Sequence, residues 1–102
     1  MARIRLAGCE VELDTGEVRR GARTDALTRR EAELLAYLAA RADRDVTREE
    51  LLVDVWGYRD GTIRTRTIDV HVQQLRAKLR AIAGGEASIA TVRGRGYRLE
   101  PR

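Results

Sequence analysis

The sequence is poor in the residue types that build disulfides, metal centres and aromatic platforms. Its 102 residues include one cysteine, one histidine, one tryptophan, three tyrosines and no phenylalanine. Cys9 alone cannot form an internal disulfide, and one thiol with the single His71 cannot make a tetrahedral zinc site, so no metal or cofactor is expected. We expect Cys9 to pack as a small hydrophobic residue in a strand. Four aromatic rings are also too few for a sheet that stacks the bases of single-stranded RNA.

Long apolar segments and catalytic constellations are missing as well. No apolar run approaches the roughly 18 residues of a membrane span, and the opening Met-Ala-Arg-Ile-Arg is unlike a signal-peptide core, so we expect a cytoplasmic chain without a membrane partner. The sequence contains no phosphate loop, and its acids fall on helix caps and exposed faces, so an enzyme is not expected. The length suits one small domain over residues 1–102.

The charge is distributed unevenly along the chain. The net charge is +4, but residues 1–51 hold ten arginines and eleven acids, whereas residues 52–102 hold ten basic residues and five acids. The second half therefore carries +5. A basic footprint confined to one half of a small domain is typical of a nucleic-acid-binding surface.

The most informative segment is a helix in the second half. At about 100° per residue, one narrow apolar stripe predicts its buried side: Ile68, Val72, Leu75, Leu79 and Ile82. The opposite side presents a mixture of polar and small groups: Arg66, Val70, Gln73, Gln74 and Ala77. Gln can bond the N6/N7 edge of adenine, Val can touch a thymine methyl, and Ala permits close approach in a major groove. Beyond Asp69 the helix carries Arg76, Lys78 and Arg80 without an acid, and DNA phosphate would supply the missing countercharge.

A basic hairpin follows this helix. If Gly94-Arg95 is a two-residue turn, Val92 pairs with Tyr97 and Thr91 with Arg98. One face is then apolar, and the other carries Thr91, Arg93 and Arg98. Arg95 stands at the tip between Gly94 and Gly96, where the backbone can come close to a phosphodiester, and an arginine there can enter a narrow minor groove.

The first half predicts a small sheet followed by two helices. Short alternating pieces over residues 3–27 indicate three or four antiparallel strands. Two capping boxes, Thr28 to Glu31 and Thr47 to Glu50, open helices. The first is expected to run to about Ala42. The second is expected to carry four apolar residues and to end at Gly57: Leu51, Leu52, Val55 and Trp56. Gly84 and Gly85 are expected to end the third helix.

Four runs in this order resemble the DNA-binding output domain of OmpR/PhoB-type response regulators, over about residues 10–99: LTRREAELLAYL, VTREELLVDVWG, RTIDVHVQQLRAKL and TVRGRGYRL. The resemblance implies an α+β winged helix-turn-helix fold. Residues 1–27 would form a four-stranded antiparallel sheet, residues 28–83 a core of three helices, and residues 88–100 the β-hairpin wing. The usual phospho-acceptor receiver domain is absent from the sequence, which indicates either an excised output domain or a protein without phosphorylation control.

The resemblance also implies how such a domain would engage DNA. The third helix would enter the major groove, and the wing would reach the neighbouring minor groove. Carried over by motif position, the recognition surface comprises Arg66, Val70, Gln73, Gln74 and Arg76. Arg93 would be the wing arginine, while Thr91 and Trp56 would contact phosphate. The resemblance further implies binding to direct-repeat half-sites by a monomer that pairs on DNA, and a polymerase-contact loop containing Tyr58, Arg59, Asp60 and Gly61.

Several of these residues can also be explained by structural roles inside the domain. Trp56 can be a core plug, His71 a hydrogen-bonded boundary histidine, Asp69 a partner for a nearby arginine, and Arg76 a partner for an acid inside the domain. The main alternative function is a winged-helix protein-interaction module that does not bind DNA, since fold does not fix function.

Overall fold

The structure, a computed structural model, describes residues 3–6, 8–83 and 89–100 and begins with a four-stranded sheet. Its strands are joined in the order β1-β2-β3-β4 and are all antiparallel: β1 (Arg3–Leu6), β2 (Cys9–Glu12), β3 (Glu17–Arg20) and β4 (Arg23–Ala26). The predicted sheet is confirmed, and Cys9 is buried in β2. All four residues of β4 are exposed, so this strand has no apolar alternation. The sequence pattern had left three or four strands open, and the family resemblance implied four.

Two capped helices follow the sheet. Helix α1 (Arg29–Ala40) begins at the Thr28 capping box and helix α2 (Arg48–Asp54) at the Thr47 capping box, and both predicted boxes are confirmed. Each helix is shorter than predicted. Helix α1 ends two residues before Ala42, and α2 ends at Asp54, so that Val55 and Trp56 lie in the turn that follows it. Gly57 closes this turn with a φ of +76°, a conformation that glycine adopts readily.

Helix α3 (Thr67–Ala83) is the longest element and packs against β2, β3 and β4 as well as against α1 and α2. The predicted apolar stripe faces this core and is buried along its whole length: Ile68, Val72, Leu75, Leu79 and Ile82. The expectation that Gly84 and Gly85 end the helix lies outside the described residues.

The second sheet contains the hairpin and one strand that the sequence did not predict. Strands β6 (Ile89–Val92) and β7 (Gly96–Leu99) form the hairpin, and β5 (Val46–Thr47) pairs with β7 to give the order β5-β7-β6. Strand β7 is therefore central. Its pairing with β5 ties the hairpin to the start of α2, which places the hairpin next to the helical core.

Candidate nucleic-acid interface

The outward side of α3 and the segment just before it form a continuous exposed stripe. The predicted residues of this stripe are all exposed: Arg66, Val70, Gln73, Gln74 and Ala77. The helical phase predicted from the sequence is thereby confirmed, while a role of these residues in DNA contact stays a prediction. Arg80 also lies on this stripe and is exposed. The sequence predicted a phosphate countercharge for Arg80 but did not include it in the recognition surface, where the same 100° periodicity places it.

The side chains in the middle of this stripe have no hydrogen-bond partners among the described residues. Within the part of the chain that the structure describes, the amides of Gln73 and Gln74 make no hydrogen bond. Val70 is 48% exposed and places an apolar group on this outward face. This face therefore offers hydrogen-bond donors and acceptors beside an apolar group.

Arg76 was predicted at the recognition surface, but the structure directs it towards the hairpin. Its Nε donates to the carbonyl oxygen of Ile89 at 3.0 Å, and its Nη2 donates to Oγ1 of Thr91 at 2.6 Å. The guanidinium carbon also lies 5.5 Å from the ring centroid of Tyr97, within cation–π range. The alternative that Arg76 pairs with an acid is not met among the described residues, where its acceptors are a carbonyl and a hydroxyl, and its role at the recognition surface stays a prediction. Arg76 thus connects α3 to both strands of the hairpin.

Lys78 is also engaged inside the domain. Its Nζ lies 2.8 Å from Oε1 of Glu31 and 3.2 Å from the carbonyl oxygen of Ala26. Glu31 is the capping-box carboxylate of α1 and is only 1% exposed. The expectation that phosphate supplies the countercharge of Lys78 is therefore wrong. The acid comes from another helix, 47 positions earlier in the chain.

The turn of the hairpin differs from the predicted two-residue turn. Residues 93–95 form a three-residue loop, in which the Arg95 amide donates to the Val92 carbonyl at 2.9 Å and Gly94 has a φ of +74°. A positive φ at the third position of a four-residue turn is the type II requirement, which glycine satisfies. The predicted glycine conformation is confirmed, whereas the predicted turn length is wrong. Arg93 consequently lies in the turn, outside the strand ladder.

The longer loop shifts the hairpin register by one residue. Val92 faces Gly96, Thr91 faces Tyr97 and Ala90 faces Arg98. A slip of one residue moves a side chain to the other face of a sheet, so Thr91 and Arg98 do not share a face as predicted. Thr91 instead points to the side of Arg76.

Asp45, just before β5, holds two of the predicted wing arginines. One of its oxygens lies 3.4 Å from Nη1 of Arg98, and the other lies 3.6 Å from Nε of Arg95. Arg93 is exposed, as Arg95 is, but it differs from Arg95 and Arg98 because it has no ion pair within the described ranges. Of the three wing arginines, Arg93 is therefore the one whose charge is not already matched by a neighbouring acid.

Asp69 joins α3 to the hairpin and to the start of α2. It accepts hydrogen bonds from the hydroxyl of Tyr97 and from the guanidinium of Arg48. Burial, together with the bond to this carboxylate, raises the pKa of Tyr97 to about 12, so the phenol remains a donor. The expectation that Asp69 orients a nearby arginine is confirmed. This cluster braces the hairpin against α3.

Trp56 and His71 pack together beside the first turns of α3. Their rings meet edge to face with centroids 5.1 Å apart, and the guanidinium carbon of Arg30 lies 5.2 Å from the Trp56 ring centroid. Nδ1 of His71 is 2.9 Å from the carbonyl oxygen of Thr67, which confirms the boundary histidine. Trp56 is half-buried against the core, and its contact with phosphate stays a prediction.

The segment between α2 and α3 has a defined shape. Oδ1 of Asp60 accepts hydrogen bonds from the backbone amide and the hydroxyl of Thr62. Gly61 lies so close to α2 that a Cβ there would be 2.7 Å from the carbonyl oxygen of Glu49. Tyr58 is half-buried and Arg59 exposed. These contacts hold the loop from Tyr58 to Gly61 at the surface, and its contact with polymerase stays a prediction.

The described residues offer neither a metal centre nor a membrane-spanning helix. Among them, no group of three or more His, Cys, Asp or Glu side chains is arranged to hold a metal ion. Over the same residues, no helix is both long enough and apolar enough to cross a membrane.

A four-stranded sheet, three helices and a hairpin braced beside the third helix define a winged helix-turn-helix domain. The chain belongs to the family described as "Transcriptional regulatory protein, C terminal", whose model matches residues 23–99, and thus to the OmpR/PhoB-type output domains. It is 38% identical over 96 residues to the DNA-binding response regulator MtrA of Mycobacterium tuberculosis, a match that covers 94% of this chain and 42% of MtrA. It is 41% identical over 78 residues to the heme response regulator HssR of Staphylococcus aureus, a match that covers 76% of this chain and 34% of HssR. The chain thus spans less than half the length of these relatives.

Solved structures show the same fold. The DNA-binding domain of CpxR from Escherichia coli superimposes with a TM-score of 0.79 at 31% identity, covering 99% of this chain and 98% of that one. The DNA-binding domain of RstA from Klebsiella pneumoniae, solved in complex with the RstA box, superimposes with a TM-score of 0.81 at 27% identity over 100% of both chains.

Proposed function

We propose that this domain binds double-stranded DNA sequence-specifically, as the output domain of a cytoplasmic transcriptional regulator. Helix α3 would lie in the major groove and Arg93 in the neighbouring minor groove. The observation that carries the proposal is the uncommitted polar stripe on α3, with the hairpin braced directly beside it. The relationship to the RstA domain, which was solved with its DNA box, supports it. The proposed activity is binding alone, without hydrolysis of DNA or nucleotides.

The charges near this face suit a phosphate backbone. Beyond the loop from Tyr58 to Gly61, four arginines are exposed and have no ion-pair partner among the residues that the structure describes: Arg64, Arg66, Arg80 and Arg93. A protein partner would more typically be met by large apolar anchors at the centre of the interface. The amide-rich stripe with arginines around it therefore favours DNA over the protein-interaction alternative.

The affinity for duplex DNA is expected to fall steeply with salt. If these four arginines each neutralise a phosphate, the slope of log affinity against log salt should be about −3.6, since each contact contributes about −0.9. Between about 50 and 200 mM salt the affinity would then fall roughly 150-fold. Fluorescence anisotropy with a labelled duplex measures this, and Arg66→Ala should reduce the slope by about one contact.

Arg5→Ala provides the matched control for this measurement. Arg5 lies on β1, where it is ion-paired with Glu10 at 3.0 Å, so its loss should leave the slope unchanged. A slope near zero for the parent domain would contradict DNA binding. Equal affinity for duplex, for single strands and for an acidic protein would instead favour nonspecific charge attraction.

The wing is tested by Arg93→Ala. Because Arg93 is exposed in the turn, its removal should leave stability unchanged but weaken DNA binding. An arginine inserted into the minor groove prefers the narrow groove of an A-tract, so the loss should be larger on A-tract flanks than on GC-rich flanks. Arg95→Ala is the comparison and should have the smaller effect, since Arg95 already lies beside Asp45. Parent-like binding of Arg93→Ala on every flank would remove the wing from the mechanism.

We further propose that the domain is a monomer in solution and that two copies pair on direct-repeat half-sites. We also propose that the loop from Tyr58 to Gly61 contacts RNA polymerase. The hydrogen-bonded shape of this loop supports a polymerase contact, and Ile63 just beyond it is 47% exposed and offers an apolar contact. Sedimentation of the domain with and without a direct-repeat duplex tests the pairing.

A further inference from the structure

We infer that the half-site read by α3 is centred on about three consecutive A·T base pairs, selected by Val70, Gln73 and Gln74. This inference rests on the proposed function, because it specifies the bases that the same stripe would recognise.

The outward stripe of α3 has a neutral centre between two arginines. Arg66 lies at one end and Arg80 at the other, and the exposed residues between them on this stripe are all uncharged. Residues 70–77 extend about 10 Å along the helix axis, because an α-helix rises about 1.5 Å per residue. That length matches about three base pairs at roughly 3.4 Å each. The neutral centre is therefore long enough to face about three base pairs.

The two basic side chains nearest to this centre in the sequence, Arg76 and Lys78, bind partners inside the domain. Arg76 uses its Nε and Nη2 on the hairpin, and Lys78 uses its Nζ on Glu31 and Ala26. Arginine and lysine are the side chains that most often read guanine, by donating to its O6 and N7. With both withdrawn, the centre of the stripe lacks the usual guanine-reading groups.

The side chains that remain are suited to A·T pairs. The amide of a glutamine can donate to N7 and accept from N6 of adenine, and valine can pack against the thymine methyl. Guanine presents two acceptors, O6 and N7, in the same groove, so the amide oxygen of Gln73 or Gln74 would find no donor on that base. Such an unpaired polar group is costly once water is excluded. Arg66 and Arg80, whose guanidinium groups have no partner among the described residues, would contact guanine or phosphate at the two edges.

The direct test is selection of duplexes from a library with a random window, using the purified domain. The expected product is a half-site with about three adjacent A·T pairs at its centre. In competition assays, replacing one of these pairs by G·C should weaken binding about tenfold or more. A centre rich in G·C would overturn the inference.

The matched variant is Gln74→Arg, which places a guanine-reading side chain in the neutral centre. It should change the selected base at one position from adenine to guanine. Ala40→Arg is the control, because it adds the same charge at the exposed end of α1, away from the stripe. It should leave the selected sequence unchanged. If Gln74→Arg also selects the parent sequence, the inference is wrong.

The outcomes distinguish a failure of the inference about bases from a failure of the proposed DNA binding. Salt-dependent duplex binding with a G·C centre would overturn only the inference about bases. Absence of both enrichment and salt-dependent binding would overturn the proposed function and the inference together. Thermal melting of Gln74→Arg, whose side chain is exposed, verifies that an altered selection does not arise from unfolding.

Discussion

Substitution of Gly96 by alanine is expected to destabilise the domain by about 3 kcal/mol or more. A Cβ at this position would overlap the carbonyl oxygen of Val46 and lie 3.0 Å from both the Arg48 nitrogen and the Thr47 Cα. All three are backbone atoms, which cannot move aside as a flexible side chain would. The substitution therefore forces β5 away from β7.

Gly94→Ala is the matched control for this prediction. Gly94 has a φ of +74°, but a Cβ added there would meet no other atom within 4 Å. Alanine at this position therefore meets only the backbone cost of a positive φ, about 1 kcal/mol. Urea unfolding followed by circular dichroism gives both free energies. Equal losses for the two variants would mean that the contact with β5 does not restrict Gly96.

Lys78→Met is the second substitution with a large expected effect. It leaves the carboxylate of Glu31 buried without its cation, and breaking a buried ion pair from one side typically costs about 3–5 kcal/mol. Because the Lys78 side chain is 30% exposed, we expect the lower end of this range, about 3 kcal/mol. If Lys78 only bound DNA phosphate, its substitution would instead leave the free energy of unfolding nearly unchanged.

The pH dependence identifies the cause of this loss. Burial alone would raise the pKa of Glu31, but the hydrogen bonds from Lys78 and Thr28 outweigh it, so the pKa lies below its ordinary value. The contribution of Glu31 to stability is therefore complete above the pKa of the unfolded chain and is lost as the pH falls through the folded value. Lys78→Met removes the hydrogen bond and the charge that lower the pKa of Glu31, so this pKa should rise relative to the parent and the loss of stability should shrink towards acidic pH.

The double variant Glu31→Gln/Lys78→Met serves as the control for charge. It removes both members of the ion pair and should recover part of the stability that Lys78→Met loses. A loss of stability that is the same at neutral and acidic pH would show that packing of the lysine stem, and not the charge of Glu31, is responsible.

Features encoded within a few neighbouring residues could be predicted from the sequence. The two capping boxes depend on residues three positions apart, and the phase of α3 follows from its apolar periodicity. The structure therefore confirms the starts of α1 and α2 and the buried stripe from Ile68 to Ile82. The same periodicity correctly separates Gln73 and Gln74 from the core.

Features that depend on distant partners could not be predicted in this way. Strand β5 is only two residues long and exists because β7 pairs with it. The hairpin register depends on whether residue 93 joins the turn, and two glycines in RGRG permit either choice. Gly96 was expected to allow close approach of DNA, but its lack of a side chain is required by β5.

The interaction partners of the long basic side chains could not be predicted from the sequence either. Helix periodicity gives the direction in which a side chain leaves the helix, but a lysine or arginine can reach partners several ångströms to either side. Arg76 lies at the edge of the outward face and reaches the hairpin, and Lys78 reaches Glu31. The identity of such partners depends on tertiary packing, which a single sequence does not display.

The connection between the wing and the middle of the chain has a consequence for the order of assembly. Arg98 and Asp45, which meet beside β5, are 53 positions apart, whereas the N-terminal sheet consists of hairpins between adjacent strands. Closing a long loop costs more entropy than closing a short one. We therefore expect the N-terminal sheet to form early and the wing last. During synthesis on the ribosome, a chain would acquire the complete surface proposed to bind DNA only after β7 has emerged.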